Sequence, residues 1–297
     1  MIYLDEARVR SVLRWDALID AMERALGAFS NGRVVAPVRT VLTVEEHRRY
    51  FGIMPAVCDD VMGAKLVSFY PGNEGTQFAT HNGLILLFDT QTGEPLAAMD
   101  GRLITEMRTA AVSAAATKYL MPERSCVLAV LGSGVQAHSH VEALGHVADF
   151  TETRVWSRTP EHAQRLAREF GATAMDAEAA VRNADVVVVA TSARQPVLHG
   201  AWLKPGAHVN AVGANRPEWR ELDDEAMSAT VLVDSRAAAA AESGDIILSN
   251  ATIYAEVGEI FGNAVPAPPR TATTVFKSLG LAVEDLAAAK LVLDAYS

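Results

Sequence analysis

Cysteine is scarce in this sequence, with two residues, Cys58 and Cys126, in 297. They fit no CxxC spacing and build no disulfide framework, which argues against a small secreted scaffold. Long hydrophobic runs are missing too. The longest, such as Val127 to Leu131 and Val186 to Ala190, are strand-sized, well short of the roughly 18 residues of a membrane helix. No Lys/Arg tract occurs, and 36 Asp plus Glu against 26 Lys plus Arg leave a net charge of −10. That balance argues against nucleic acid or an anionic membrane as the main partner. Asp5 and Glu6 stand where a secretory signal would be basic and then apolar, so the expected location is the cytoplasm. HExxH, GxSxG and Walker motifs are absent. His138 and His140, two apart on an expected helix, face different sides, so no metal site is expected.

What is there suits two domains, since half of the residues are hydrophobic and the length exceeds one simple core. Leu18, Met22, Ala25/Leu26 and Phe29 recur at helical spacing and stop at Ser30-Asn31-Gly32. A mostly β region follows in Val38 to Thr43, Tyr50 to Met54, Ala64 to Phe69 and Leu84 to Asp89, with a turn cluster at Pro71 to Gly75. An Ala- and Ser-rich helix is expected from about Thr105 to Leu120, ended by Pro122. From Ser125 strands alternate with helices. The strands are Cys126 to Leu131, Thr153 to Trp156, Asp185 to Ala190, His208 to Val212 and Thr230 to Val233, and Thr159-Pro160-Glu161 offers a helix start. The pattern predicts an α/β fold with a doubly wound parallel sheet. Pro266 to Pro269 reads as a linker to a last helix, about Ala282 to Ala295.

Gly132-x-Gly134-x-x-Ala137 lies between an expected strand and an expected helix. The first Gly permits a tight turn, the second lets backbone N–H groups approach a pyrophosphate, and the helix N-terminus attracts it. About 20 residues on, where an NAD-specific site places an acid, the chain reads Ser157-Arg158-Thr159. No carboxylate repels a 2′-phosphate there, and Arg158 can pair with one, so NADP(H) is expected over NAD(H). The alternative makes Arg158 a solvated strand end and Thr159 a helix cap. Arg39, Lys65 and Arg108 each break a local pattern: Lys65 in an apolar strand, Arg108 in the first turn of the Ala-rich helix. Burying them requires an anion, either a substrate carboxylate or a structural partner such as Asp89, Asp100 or Glu106.

Longer motifs carry a family resemblance. They include Pro37-Val38-Arg39-Thr40, His47-Arg48-x-Tyr50-x-Gly52-x-Met54-Pro55-Ala56, Met99-Asp100-Gly101 through Arg108-Thr109-Ala110-Ala111-Val112-Ser113, and Gly132-x-Gly134-Val135-Gln136-Ala137. Pro205-Gly206-Ala207-His208-x-Asn210-Ala211-Val212-Gly213-Ala214, Arg216-Pro217-x-Trp219-Arg220-Glu221-Leu222-Asp223-Asp224-Glu225, Glu242-Ser243-Gly244-Asp245 and Thr274-Val275-Phe276-Lys277-Ser278-Leu279-Gly280 continue them. Over essentially its whole length the chain resembles the ornithine cyclodeaminase/mu-crystallin family, nearest its NADPH-dependent ketimine-reducing members.

The resemblance implies a homodimer in which a Rossmann domain (121–270) is inserted in an α+β substrate and dimerisation domain (1–120 plus 271–297). It implies that Lys65 and Arg108 act on the substrate, with Arg39, Glu242 and Ser278 lining its pocket. It implies cofactor contacts from Thr80, His81, Gly132, Gly134, Val135, Gln136, Ala137, Ser157, Arg158, Thr159, Thr191, Ser192 and Val212. Cyclodeaminase and alanine dehydrogenase members carry an acid in a Gly-x-Asp loop, which here reads Gly213-Ala214-Asn215. Asn cannot act as a general base. The expected activity is therefore NADPH-dependent reduction of a cyclic ketimine carboxylate, Δ1-piperideine-2-carboxylate or Δ1-pyrroline-2-carboxylate. Ornithine cyclodeamination, amino-acid dehydrogenation and NADPH-gated ligand binding are the alternatives.

Overall fold

The computed structural model describes residues 1–46, 49–59 and 61–296, so His47 and Arg48 of the second motif lie outside the described residues. The chain divides into two compact units, Met1–Arg108 with Gly280–Ser297, and Thr109–Leu279.

The first unit begins with β1 (Ile2–Leu4), α1 (Glu6–Val12) and α2 (Trp15–Ser30). It continues with β2 (Val34–Val35), β3 (Thr40–Glu45), β4 (Arg49–Cys58), β5 (Val61–Phe69), β6 (His81–Asp89) and β7 (Pro95–Asp100). The helix α3 (Arg102–Leu120) starts in this unit, and α10 (Ala282–Asp294) ends it. The sheet runs β1-β7-β6-β5-β4-β2 with β3 on β4. Every pair is antiparallel except β1 with β7. The helical spacing in α2 buries Leu18, Met22 and Leu26, and α2 packs against α10, which lies across β4, β5 and β6. At Gly63 of β5 a Cβ would strike the Leu86 carbonyl and sit 3.2 Å from Leu286 Cδ2 of α10, so glycine lets the helix down onto the strand. Side chains alternate along a strand. Lys65, two residues on, therefore points to the face that α10 covers.

The second unit holds β8 (Val127–Leu131), α4 (Val135–Leu144), β9 (Glu152–Trp156), α5 (Pro160–Phe170), β10 (Thr173–Ala174), α6 (Ala177–Val181) and β11 (Val186–Val189). It goes on through β12 (His208–Ala211), β13 (Thr230–Val233), α7 (Arg236–Glu242), α8 (Gly244–Ser249), β14 (Ile253–Glu256), α9 (Val257–Phe261) and β15 (Thr274–Lys277). These strands form a fully parallel sheet in the order β10-β9-β8-β11-β12-β15-β13-β14. Strand order reverses at β8 and β11. A crevice outside the carboxyl ends of two such strands is where doubly wound sheets bind ligands. All four residues of β11 and of β12 are buried, as expected of central parallel strands covered on both faces.

Three sequence expectations change. The Pro266–Pro269 segment leads first to β15, which pairs with β12 on one side and β13 on the other. The second unit accordingly extends to Leu279, past residue 270, and its start lies at Thr109 inside α3, before residue 121. Because α3 begins at Arg102, Arg108 sits in its second turn, not its first.

Candidate functional site

In the first unit the three cations singled out in the sequence converge on the segment Gly280 to Asp285. Lys65 Nζ donates to both Asp285 oxygens, at 3.0 and 2.9 Å. Arg108 donates from Nε to Asp285 Oδ1 at 3.0 Å and from a terminal nitrogen to Glu284 Oε2 at 2.6 Å. Arg39 donates to the Gly280 carbonyl at 2.9 Å. The side chains of Lys65, Arg108, Glu284 and Asp285 are at most 6% exposed. Gly280 has φ +84°, and a Cβ there would lie 2.6 Å from the Arg108 guanidinium, so only glycine suits the position.

The counter-charges differ from those the sequence suggested. Asp89 instead caps its own turn by accepting from the Gln91 and Thr92 amides, and Asp100 accepts from the Arg102 amide. Glu106 pairs with Arg102. The acids that matter, Glu284 and Asp285, open the Ala- and Leu-rich helix α10, where its N-terminal dipole favours them. Two adjacent acids on a helix that is otherwise buried were the available signal.

Burial of Lys65 outweighs the pull of Asp285, and with Arg108 repelling it the ammonium pKa falls from 10.5 to about 8. For Asp285 burial acts upward, but Arg108 and Lys65 hold the carboxyl below its ordinary value. Lys65 and Arg108 are buried beside two buried carboxylates, Glu284 and Asp285, and half-buried Arg39 joins them at the Gly280 carbonyl. Buried cations held in place in this way can offer charge-assisted hydrogen bonds to a substrate carboxylate. Thr80 and His81 are neighbours at the start of β6. Their side chains lie 3.2 Å apart, and the His81 ring is tilted against Phe69 with centroids 4.3 Å apart.

In the second unit the glycine loop joins β8 to α4. Gly132 has φ +133°, and a Cβ on it would strike the Ala190 carbonyl that follows β11. Around Gly134 a Cβ would meet nothing within 4 Å, so this side of the loop is open. No side chain caps α4, which leaves its first amides to an incoming anion. Ser133 and Ser157 hydroxyls are 2.8 Å apart, tying the loop to the end of β9. Beyond Ser157, Arg158 is exposed, and Thr159 starts α5 without using its side chain as a cap. No acid occupies residues 157–159. These features fit a dinucleotide with its pyrophosphate on α4 and its adenosine ribose at the end of β9.

Thr191 and Ser192 follow β11, and Val212 follows β12, so the remaining expected cofactor residues also lie at carboxyl strand ends. Glu242 closes α7 and Ser278 follows β15; the Ser278 hydroxyl is buried without a hydrogen-bond partner. Both belong to the second unit, whereas Arg39, Lys65 and Arg108 belong to the first. Asn215, at the expected acid position, is exposed in the loop after β12. His138 pairs with Glu169, while His140 is buried against Ser113, so the two histidines do face different sides. Among the described residues no cluster of His, Cys, Asp or Glu could hold a metal, and no helix is long and apolar enough to cross a membrane.

One residue of this unit stands in a family motif but has no role expected from the sequence. Glu221, fully buried, accepts four hydrogen bonds from the loops after β11 and β12. In the run Glu221-Leu222-Asp223-Asp224-Glu225 it looks like one of several solvated acids.

Residues 2–297 match the profile of the ornithine cyclodeaminase/mu-crystallin family. The chain is 50% identical over 305 aligned positions to ketimine reductase mu-crystallin of Mus musculus, covering 99% of this chain and 97% of that one. Among solved structures it resembles Thermococcus litoralis Δ1-pyrroline-2-carboxylate reductase in complex with NADH and L-proline. The TM-score is 0.93 at 34% identity, over 99% of this chain and 97% of the other. An archaeal alanine dehydrogenase dimer with bound NAD gives a TM-score of 0.93 at 31% identity, over 99% and 95% of the two chains.

Proposed function

Since the chain belongs to the ornithine cyclodeaminase/mu-crystallin family, we propose that it reduces small cyclic ketimine carboxylates with NADPH. The substrates are Δ1-piperideine-2-carboxylate and Δ1-pyrroline-2-carboxylate, and the products pipecolate and proline. The observation that carries this reading is the convergence of three cations, buried Lys65 and Arg108 and half-buried Arg39, on the segment Gly280 to Asp285.

Arg108 and Lys65 hold the substrate carboxylate through charge-assisted hydrogen bonds and thereby orient the imine carbon. Arg39 adds to the positive field, and we assign Glu242 and Ser278 to substrate binding as well; the Ser278 hydroxyl is buried without a hydrogen-bond partner. With a pKa near 8, Lys65 is protonated at neutral pH yet able to yield a proton at modest cost. Gly132, Gly134, Val135, Gln136 and Ala137 cradle the pyrophosphate. Arg158, with Ser157 and Thr159, takes the 2′-phosphate, and Thr80, His81, Thr191, Ser192 and Val212 complete the cofactor contacts. When bound, the nicotinamide supplies a hydride to the imine carbon. Asn215 offers no general base, so forming an imine from an amino acid is disfavoured; an imine that arrives ready-made needs none. We further propose a cytoplasmic homodimer, in line with the solved alanine dehydrogenase dimer.

The test is the loss of NADPH absorbance with each ketimine, with NADH run in parallel. Rapid NADPH-dependent turnover of at least one is the expected result. No turnover of either, with NADPH still bound, would transfer the assignment to a dehydrogenase or a ligand-binding role.

A further inference from the structure

We propose that Glu221 is a positioning residue for the nicotinamide half of the cofactor site, its carboxylate locking together the loops that leave β11 and β12. The inference rests on the NADP(H)-dependent reading above and adds a residue that touches neither cofactor nor substrate.

Glu221 Oε1 accepts from the Thr191 amide at 2.7 Å and from the Thr191 hydroxyl at 2.6 Å. Its Oε2 accepts from the amides of Gly213 at 2.6 Å and Ala214 at 3.0 Å. Each carboxylate oxygen thus takes one loop. Thr191 passes the constraint on, since its hydroxyl also accepts from the Ala193 amide at 3.0 Å. Gly213 must be glycine, because a Cβ there would strike both the Thr191 carbonyl and the Glu221 carboxylate.

The carboxylate is held from behind. Asp245 Oδ1 accepts from the Glu221 and Leu222 amides at 2.8 and 3.0 Å. The Glu221 carbonyl accepts from the Val197 and Leu198 amides at 2.8 and 3.0 Å. Asp245 in turn lies 3.0 Å from the ammonium of Lys277, and both side chains are fully buried. Burial pushes the Glu221 carboxyl up, while Lys277 and the Thr191 donors hold it back.

Chemistry dictates why this residue is an acid. Four donors and no acceptor converge on it, and only an ionised carboxylate can accept from all four. A buried charge of this kind, spent on two loops rather than on a helix or a strand, fixes the geometry of those loops before a ligand arrives. Both loops lie at the carboxyl ends of β11 and β12, on one side of β8. The 2′-phosphate residues Ser157, Arg158 and Thr159 follow β9, on its other side. Glu221 therefore governs one half of the dinucleotide site and leaves the adenosine half alone.

Glu221→Gln keeps the shape but turns an NH2 group toward one pair of donors, releasing one loop. Binding to the purified variant is measured by calorimetry with NADP+ and with adenosine 2′,5′-bisphosphate, which lacks nicotinamide. The expected result is NADP+ binding weakened about tenfold or more, from donors left unsatisfied, with the bisphosphate unchanged within experimental error. Equal weakening of both ligands means a general structural role and overturns the proposal, as does unchanged NADP+ binding. If Glu221→Gln fails to fold, Glu221→Asp keeps the negative charge near Lys277 but cannot span both loops, and the same split is expected of it. A wild-type protein that binds neither ligand would instead defeat the cofactor reading itself.

Discussion

Asp285→Asn isolates the charge balance on which the substrate site depends. The change preserves shape but leaves Lys65, whose ammonium donates to both Asp285 oxygens, facing a neutral amide. Arg108 retains Glu284. Breaking a buried pair from one side costs about 3–5 kcal/mol. Unfolding temperature moves by roughly 2–4 °C per kcal/mol in chains of 150–250 residues, so a drop of about 6–20 °C is expected. The cost must also depend on pH. Lys65 already has a folded pKa near 8, below its ordinary 10.5, so the wild type gains stability as pH rises between those values. Without Asp285 that pKa falls further, and the variant starts to gain at lower pH. The difference between the two proteins should therefore narrow as pH rises toward about 8, by at most about 1.4 kcal/mol per pH unit, and then stay constant. Thermal melts of both proteins at several pH values between about 6 and 9 read this directly. A negligible loss at the acid end, or a difference that does not narrow, would show that Asp285 does not keep Lys65 charged.

Two further outcomes follow from named residues. Arg158→Ala removes an exposed guanidinium in a segment free of acids, and loss of a charge-assisted contact worth about 1.5–3 kcal/mol should raise KM for NADPH roughly ten- to hundredfold; initial rates with NADH should barely change, and an equal loss with both cofactors would exclude a 2′-phosphate role. Because Lys65 must be protonated to hold the carboxylate, kcat/KM should fall as pH rises through about 8, a limb that Lys65→Met should abolish along with most of the activity.

Much of the architecture was readable because it is written in local patterns. The apolar spacing of α2, the buried runs of β8, β11, β12 and β13, and the Thr159-Pro160 start of α5 all recur in the structure with small shifts of boundary. What escaped depends on distant partners. The three-residue β1 is a strand only because β7 pairs with it in parallel, and β15 owes its place between β12 and β13 to a long return of the chain. The site divides the same way. Lys65 and Arg108 stood out as pattern breaks, yet Asp285, their partner, lies 220 and 177 residues away in sequence. Glu221 was hidden for the opposite reason, because it sits in a run of acids whose burial only the fold decides.

The most direct test of the account compares Δ1-piperideine-2-carboxylate with Δ1-piperideine, the same ring without the carboxylate, for the wild type and Arg108→Ala. The wild type should prefer the carboxylate by roughly a hundredfold or more in kcat/KM, the value of a buried charge-assisted pair. Arg108→Ala should lose nearly all of that preference while binding NADPH normally. Equal rates on the two rings, or a preference that survives Arg108→Ala, would contradict the assignment of the buried cations to the substrate carboxylate.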